Sequence, residues 1–181
     1  LMRLSILCND SSNVDGQEIG DPTETALINL SAHLGVPASR VRAVYPRLSE
    51  IPFDSDRKMM STLHLLKDGY TMITKGAVDV LIERIKYIRK NNQIVPITAQ
   101  DREDILAMNM EFSQNGLRVL AITYKKLTAE KSLDYDDEND LIFLGLISMM
   151  DPPRVESAPA VTECLQAGIT PIMITGDHKI T

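Results

Sequence analysis

The sixteen residues from Ser61 to Gly76, STLHLLKDGYTMITKG, constrain the fold more than any other stretch of the chain. Two runs rich in β-favouring residues flank Asp68-Gly69, a pair that predicts a tight turn and therefore an antiparallel hairpin. The hairpin runs straight into AVDVLIERIKYIRK, where Val78, Leu81, Ile82 and Ile85 recur at helical spacing and predict a helix. Upstream, GDPTETALINLSAHLG offers Asp21 as N-cap, Pro22 at the first helical position and Glu24 three residues after the cap, a capping-box pattern. Leu27, Leu30 and Leu34 would give that helix its apolar stripe, and Gly35 would end it. Downstream, Thr98 caps a helix that stops at Gly116, and LRVLAITYKKL and LIFLGLISMM read as two further strands. LMRLSILCND is too short to separate a helix from a buried strand.

Beyond Met150 the pattern changes. Pro152 and Pro153 in DPPR break any ladder or helix. A short helix over about Val155–Ala167 follows, with Gly168 as its stop, and then the apolar run ITPIMIT. Strand, helix and strand in that order suggest a right-handed crossover and a parallel sheet. The expected fold class is α+β: a mostly antiparallel twisted sheet flanked by helices over residues 1–150, then the opening of an α/β domain over 151–181. The chain starts on Leu1 in mid-pattern and stops at Thr181 inside a further motif, as expected of a piece of a longer protein.

Charge and composition narrow the function. A net charge of −6 leaves no basic footprint for nucleic acid. The acidic tract DYDDEND, Asp134–Asp140, lacks the glycine of a calcium loop and predicts a solvated loop. Cys8 and Cys164 form no metal or redox motif, and a reducing compartment is the simplest reading. Leu141–Met150, the longest apolar run, is too short to cross a bilayer. His33, His64 and His178 stand alone, without the partners that a catalytic triad or dyad needs.

Several stretches carry chemistry. TKGA, Thr74–Ala77, sets Lys75 and a side-chain-free Gly76 before a helix, which suits an anion or else is a tight structural turn. In FDSDRKMMS, Phe53 is either core or a stacking platform for a base beside Lys58. Arg118 in GLRVLAI is a phosphate reader or a strand-face residue. Glu24 has a complete local explanation as a capping-box carboxylate. TGD, Thr175–Asp177, falls at the carboxyl end of an expected parallel strand, where open α/β sheets bind ligands.

Taken in order, GDPTETAL, FDSDRKMMS, TKGA, GLRVLAI, DPPR and MITGDHKIT, with CNDSS near the start, resemble the cytosolic nucleotide-binding region of P-type cation-transporting ATPases, nearest the calcium-pump-like branch. The resemblance runs from Cys8 to Thr181. It implies that Phe53 stacks on adenine, Glu24 contacts the base, Lys58 sits at the pocket edge, and Lys75, Gly76 and Ala77 line the floor. Arg118 would reach toward phosphate, and Arg154 would approach the phosphates from the hinge. Thr175, Gly176 and Asp177 would surround the transferred phosphoryl group.

The implied cofactors are ATP and Mg2+, with most magnesium ligands elsewhere. The implied partners are the phosphorylation and actuator domains of the same membrane-embedded pump, with this part on the cytoplasmic face. Two departures stand out. Ser55 occupies a position where many animal calcium pumps carry Arg. The D-K-T-G-T segment bearing the phosphorylated aspartate and the G-D-G-x-N-D magnesium motif do not occur, so the chain is expected to bind nucleotide without completing turnover. A sheet edge is expected to be exposed near the N-terminus. A soluble haloacid-dehalogenase-type phosphatase, suggested by MITGD, and a noncatalytic interaction module with Phe53 in its core are the competing readings.

Overall fold

The structure, a computed structural model, describes residues 1–14, 16–150 and 154–174. The hairpin forms as the sequence dictates: β4 (Met59–Leu66) and β5 (Gly69–Gly76) pair antiparallel from Leu66↔Gly69 to Met59↔Gly76. The loop itself is Lys67-Asp68, one residue earlier than the expected turn, and Gly69 supplies its positive φ of 112° as the first strand residue.

Around this hairpin the sheet grows to seven strands. The others are β3 (Arg47–Asp54), β6 (Ile85–Lys90), β7 (Gln93–Pro96), β8 (Leu117–Lys126) and β9 (Leu141–Met150), in the order β3-β4-β5-β8-β9-β6-β7. Pairing is antiparallel throughout except between β6 and β9. The expected α+β class is what the chain adopts. The two strand prolines, Pro52 and Pro96, lie in the edge strands β3 and β7, where a missing N–H costs no internal ladder bond. A small separate hairpin, β1 (Ser12–Val14) with β2 (Gln17–Ile19), stands beside the sheet.

Both faces of the sheet are covered, which is why Met59 to His64 are all buried although they alternate in direction. Met59, Leu63 and Met72 point to one face, against α4 (Val78–Leu81) and α5 (Ala99–Gln114), with Leu81 and Ile105 in the same core. Met60, Ile73 and Ile122 point to the other, against Leu7 of α1 (Met2–Leu7) and Leu27 of α2 (Pro22–His33). Helix α3 (Ala38–Val44) closes that layer through Ala38, packed with Ile6 and Ile28.

Four expectations give way to tertiary structure. The helix expected over AVDVLIERIKYIRK stops after α4 and a 3-10 turn, Ile82–Arg84, and its remainder becomes β6. Parallel pairing of Ile85–Ile88 with Leu141–Phe143 outweighs a local helical period built from β-branched isoleucines. Helix α2 buries Thr25, Leu27, Ile28 and Ser31 and leaves Leu30 and Leu34 exposed, because the helix is rotated about one residue from the expected leucine stripe. The acidic tract is not wholly solvated: Tyr135–Glu138 forms a 3-10 turn and Glu138 is fully buried. Helix α6 (Ser157–Gln166) forms and Gly168 follows it at φ 74°, yet α6 buries no residue and 169–174 is not a strand. Ile172, Met173 and Ile174 are exposed with no neighbouring strand to complete a crossover among the described residues.

The cap of α5 carries a pH signature. Thr98 and Asp101 form the reciprocal capping box, and Lys90 forms an ion pair with the same carboxylate. The Lys90 hydrogen bond, with those from the Thr98 amide and hydroxyl, holds the Asp101 carboxyl at about 2, below the ordinary 3.8. A carboxyl depressed in the folded state stabilises above its unfolded value, and that contribution disappears as pH falls from about 4 through about 2. Asp101→Asn is therefore expected to flatten this part of the acid-unfolding profile, measured by circular dichroism from pH 5 to 1.5. An unchanged profile would contradict the assignment.

Candidate functional site

Glu24, Phe53, Lys58, Lys75, Gly76, Ala77 and Arg118 converge on one end of the sheet. The turn between β3 and β4 is built by Asp54, whose Oδ1 accepts from the amides of Asp56 and Arg57, both at 2.9 Å. Lys58 N–H closes the turn on Asp54 O at 2.7 Å, and Lys58 adopts φ 54°, a left-handed conformation that costs a non-glycine residue about 1–2 kcal/mol. The turn lies directly on the end of β5. Ala77 N–H donates to Lys58 O at 3.0 Å, and a Cβ on Gly76 would lie 2.6 Å from that carbonyl. Gly76 is thus a close-approach glycine, and the Ala77 amide is engaged with the turn. The helix that follows TKGA, α4, is only four residues long.

A bulge sets the direction of Phe53. Between Ile51↔Ser61 and Asp54↔Met59 the register shifts, so Pro52 and Phe53 together oppose Met60. Directly paired residues share a face, and Met60 pairs with Lys75. Phe53, Met60 and Lys75 therefore form a row on one face, whereas an unbroken ladder would have sent Phe53 to the core side with Ile51. The ring is 62% exposed. It is not a core residue.

Lys75 is 5% exposed, and its ammonium forms an ion pair with Glu24 of α2. The expected capping box is absent at this helix. Asp21 alone caps it, accepting from Thr23 N–H at 2.8 Å. Glu24 turns instead to the segment after α1, accepting from Asp10 N–H at 2.8 Å, Ser11 N–H at 3.1 Å and Ser11 Oγ at 3.3 Å. The carbonyls of that segment are held from behind: Arg42 donates to Ile6, Asn9 and Ser11, and Arg47 to Asn9. Charge on both sides of these peptides fixes the floor under Lys75. No sequence signal pointed to Arg42, Arg47 or Ser11, because their partners are backbone atoms.

The remaining positions are more open. Lys58 Nζ lies 3.6 Å from Asp79, with both side chains more than half exposed, a geometry worth little in water. Arg118, exposed at the start of β8, donates to Thr23 Oγ1 at 3.4 Å and so belongs to the same sheet end as α2. Ser55 is exposed in the turn, and Arg154 is exposed beyond β9. Thr175, Gly176 and Asp177 lie outside the described residues. His64 is buried with Nδ1 3.0 Å from Tyr45 O, and burial lowers its pKa.

Two cavities, of about 280 and 410 Å3, lie away from this row. The first is lined by Arg42, Arg47 and His64, whose polar atoms already serve the protein's own backbone and carboxylates. The Phe53 ring is exposed beside the Lys75–Glu24 pair and lines neither of these cavities. Among the described residues no cluster of three or more acidic, cysteine or histidine side chains could hold a metal ion.

An α+β domain whose mostly antiparallel sheet presents an aromatic ring and a buried Lys–Glu pair at one end is the class defined so far. Residues 1–156 match the family model described as P-type ATPase, cytoplasmic domain N. The chain is 45% identical over 183 residues to calcium-transporting ATPase 1 of Lactococcus lactis and 42% identical over 182 residues to calcium-transporting ATPase 1 of Bacillus cereus. It is 34% identical over 203 residues to the human potassium-transporting ATPase alpha chain 2. Each match covers all of this chain and 20–21% of the relative, so the chain spans about a fifth of their length. The chain belongs to the P-type ATPase family, through its match to cytoplasmic domain N over residues 1–156. No helix among the described residues is long and apolar enough to cross a membrane.

The Glu24–Lys75 pair generates an asymmetric prediction. Glu24 without Lys75 keeps its three donors from Asp10 and Ser11, whereas Lys75 has no other acceptor among the described residues. Glu24→Ala is expected to cost about 3–5 kcal/mol by leaving a buried ammonium alone, and Lys75→Ala distinctly less. Urea unfolding of both variants without nucleotide checks this; equal costs would contradict it.

Proposed function

We propose that this chain is the ATP-binding domain of a P-type cation pump, holding adenosine and presenting the γ-phosphate to a phosphorylatable aspartate outside the chain. One observation carries the reading: the bulge turns an exposed Phe53 ring onto the face that carries the buried Lys75–Glu24 pair. Phe53 stacks on the base, and Glu24 and Lys75 present fixed polar atoms at its edge. Lys58 adds charge at the rim, and Gly76 and Ala77 seat the turn that carries it. Arg118 directs a guanidinium along the sheet end toward phosphate, and Arg154 approaches from the hinge as domains close. Residues 151–181 open the phosphorylation domain, where Thr175, Gly176 and Asp177 surround the transferred group.

Mg2+ enters with the nucleotide and screens the phosphate charge; its protein ligands belong chiefly to other parts of the pump. The partners are the phosphorylation and actuator domains of the same membrane protein, and the domain faces the cytoplasm. Calcium is the transported ion we favour, because relatives named calcium-transporting match at 42–45% identity. The exposure of Phe53 speaks against a noncatalytic module with that ring in its core.

Titrating isotope-labelled chain with ATP is expected to shift amides around Phe53, Lys75 and Arg118. Phe53→Ala is expected to weaken ATP binding by about 1–3 kcal/mol, the value of one base stack. Lys58→Ala should weaken it less, since an exposed charge is screened. A titration that moves none of these amides would overturn the reading.

A further inference from the structure

The acidic tract contains a carboxylate that the nucleotide reading does not use. Glu138 has a side chain 0% exposed, unlike its neighbours Asp136 and Asp140. Its Oε1 accepts from Ser61 Oγ at 2.7 Å, and Ser61 Oγ lies 2.8 Å from Thr74 Oγ1. Its Oε2 accepts from Arg57 Nη1 at 2.5 Å. The tract is held in place for this: Asp134 and Asp137 form a reciprocal capping box, and Lys131 pairs with both. Arg84 donates to the Glu138 carbonyl at 3.2 Å.

Arg57 connects this buried charge to the site. Its Nη2 donates to Pro52 O at 2.7 Å and to Met59 O at 3.2 Å. Those carbonyls belong to the residue before Phe53 and the residue after Lys58, the two arms of the turn. The Tyr135 ring lies 4.9 Å from the guanidinium and covers it. By strand alternation, Ser61 and Thr74 lie on the face opposite Lys75, so this network braces the turn from the far side of the sheet.

We propose that Glu138 is a positioning residue for the base site: through Arg57 it clamps both arms of the turn and fixes where Phe53 presents its ring. The inference rests on the reading of Phe53 as the adenine platform. Removing the charge from Glu138 releases Arg57 from its anchor, and Pro52 and Met59 then lose the common donor that holds the bulge. The phosphate-facing residues are untouched by this change. A merely structural role would loosen the domain without distinguishing base from phosphate.

The test is a double-mutant cycle on the 181-residue chain with Glu138→Gln and Phe53→Ala, titrated with ATP, adenosine and inorganic tripolyphosphate. Gln keeps the volume and the Ser61 hydrogen bond. Glu138→Gln is expected to weaken ATP and adenosine about 3- to 10-fold, part of the roughly 5- to 150-fold of a whole stack. Tripolyphosphate binding should stay within about 2-fold, and no further loss should appear in the Phe53→Ala background. Equal loss for tripolyphosphate, additive effects of the two substitutions, or unchanged binding all overturn the inference. If Phe53→Ala weakens ATP while Glu138→Gln does not, only the positioning role falls; if Phe53→Ala leaves ATP binding intact, the adenine reading falls and the inference with it. Should Glu138→Gln fail to give a folded amide spectrum, Arg57→Lys carries the same cycle, because an ammonium cannot span Glu138, Pro52 and Met59 together.

Discussion

A carboxylate taken out of water must be met by donors, and this sheet end is organised around two such groups on its opposite faces. Glu24 meets Lys75 and the amides of Asp10 and Ser11 on the face covered by α1 and α2. Glu138 meets Arg57 and Ser61 on the face covered by α4 and α5. Leaving either unpaired would cost several kcal/mol, so the elements that carry their partners are held in register. The cations in these pairs come from the two motifs that flank the Phe53 surface, DRK and TKGA. Structural necessity and site geometry are the same interactions here.

Between the two anchors lies an irregular part of the sheet's edge ladder. The bulge at Pro52-Phe53, the left-handed Lys58 and the bare Cα of Gly76 form one unit: each makes room for, or requires, the next. An edge strand tolerates such an insertion because one of its sides has no ladder to disturb. The outcome is a large aromatic ring left in water by a chain that contains three phenylalanines and no tryptophan. Exposing that ring sacrifices its burial, which is intelligible if a flat partner covers it.

Much of the architecture was legible in the sequence because it is locally encoded. The β4–β5 hairpin, the capped α5 with Thr98 and Asp101, and strands β8 and β9 follow from turn chemistry, capping and β-branched runs. What was not legible depends on distant partners. Nothing near Glu24 announces that it will turn from its own helix end to residues 10 and 11, and nothing in DYDDEND marks Glu138 as buried. The run Ile85–Lys90 continues a helical period and becomes a strand because Leu141–Phe143 offers it a ladder. Phe53 and Lys75 could be named from their motifs; that they share a face depends on a one-residue register shift no local pattern reports.

The central claim is that the face bearing Phe53 and Lys75 receives the base. Intermolecular nuclear Overhauser contacts between the adenine H2 and H8 protons and the labelled chain address it directly. The account predicts contacts to the Phe53 ring protons and to side chains along the Met60–Lys75 row. Contacts to the cavity lined by Arg42, Tyr45 and His64 instead, with none to Phe53, would contradict it.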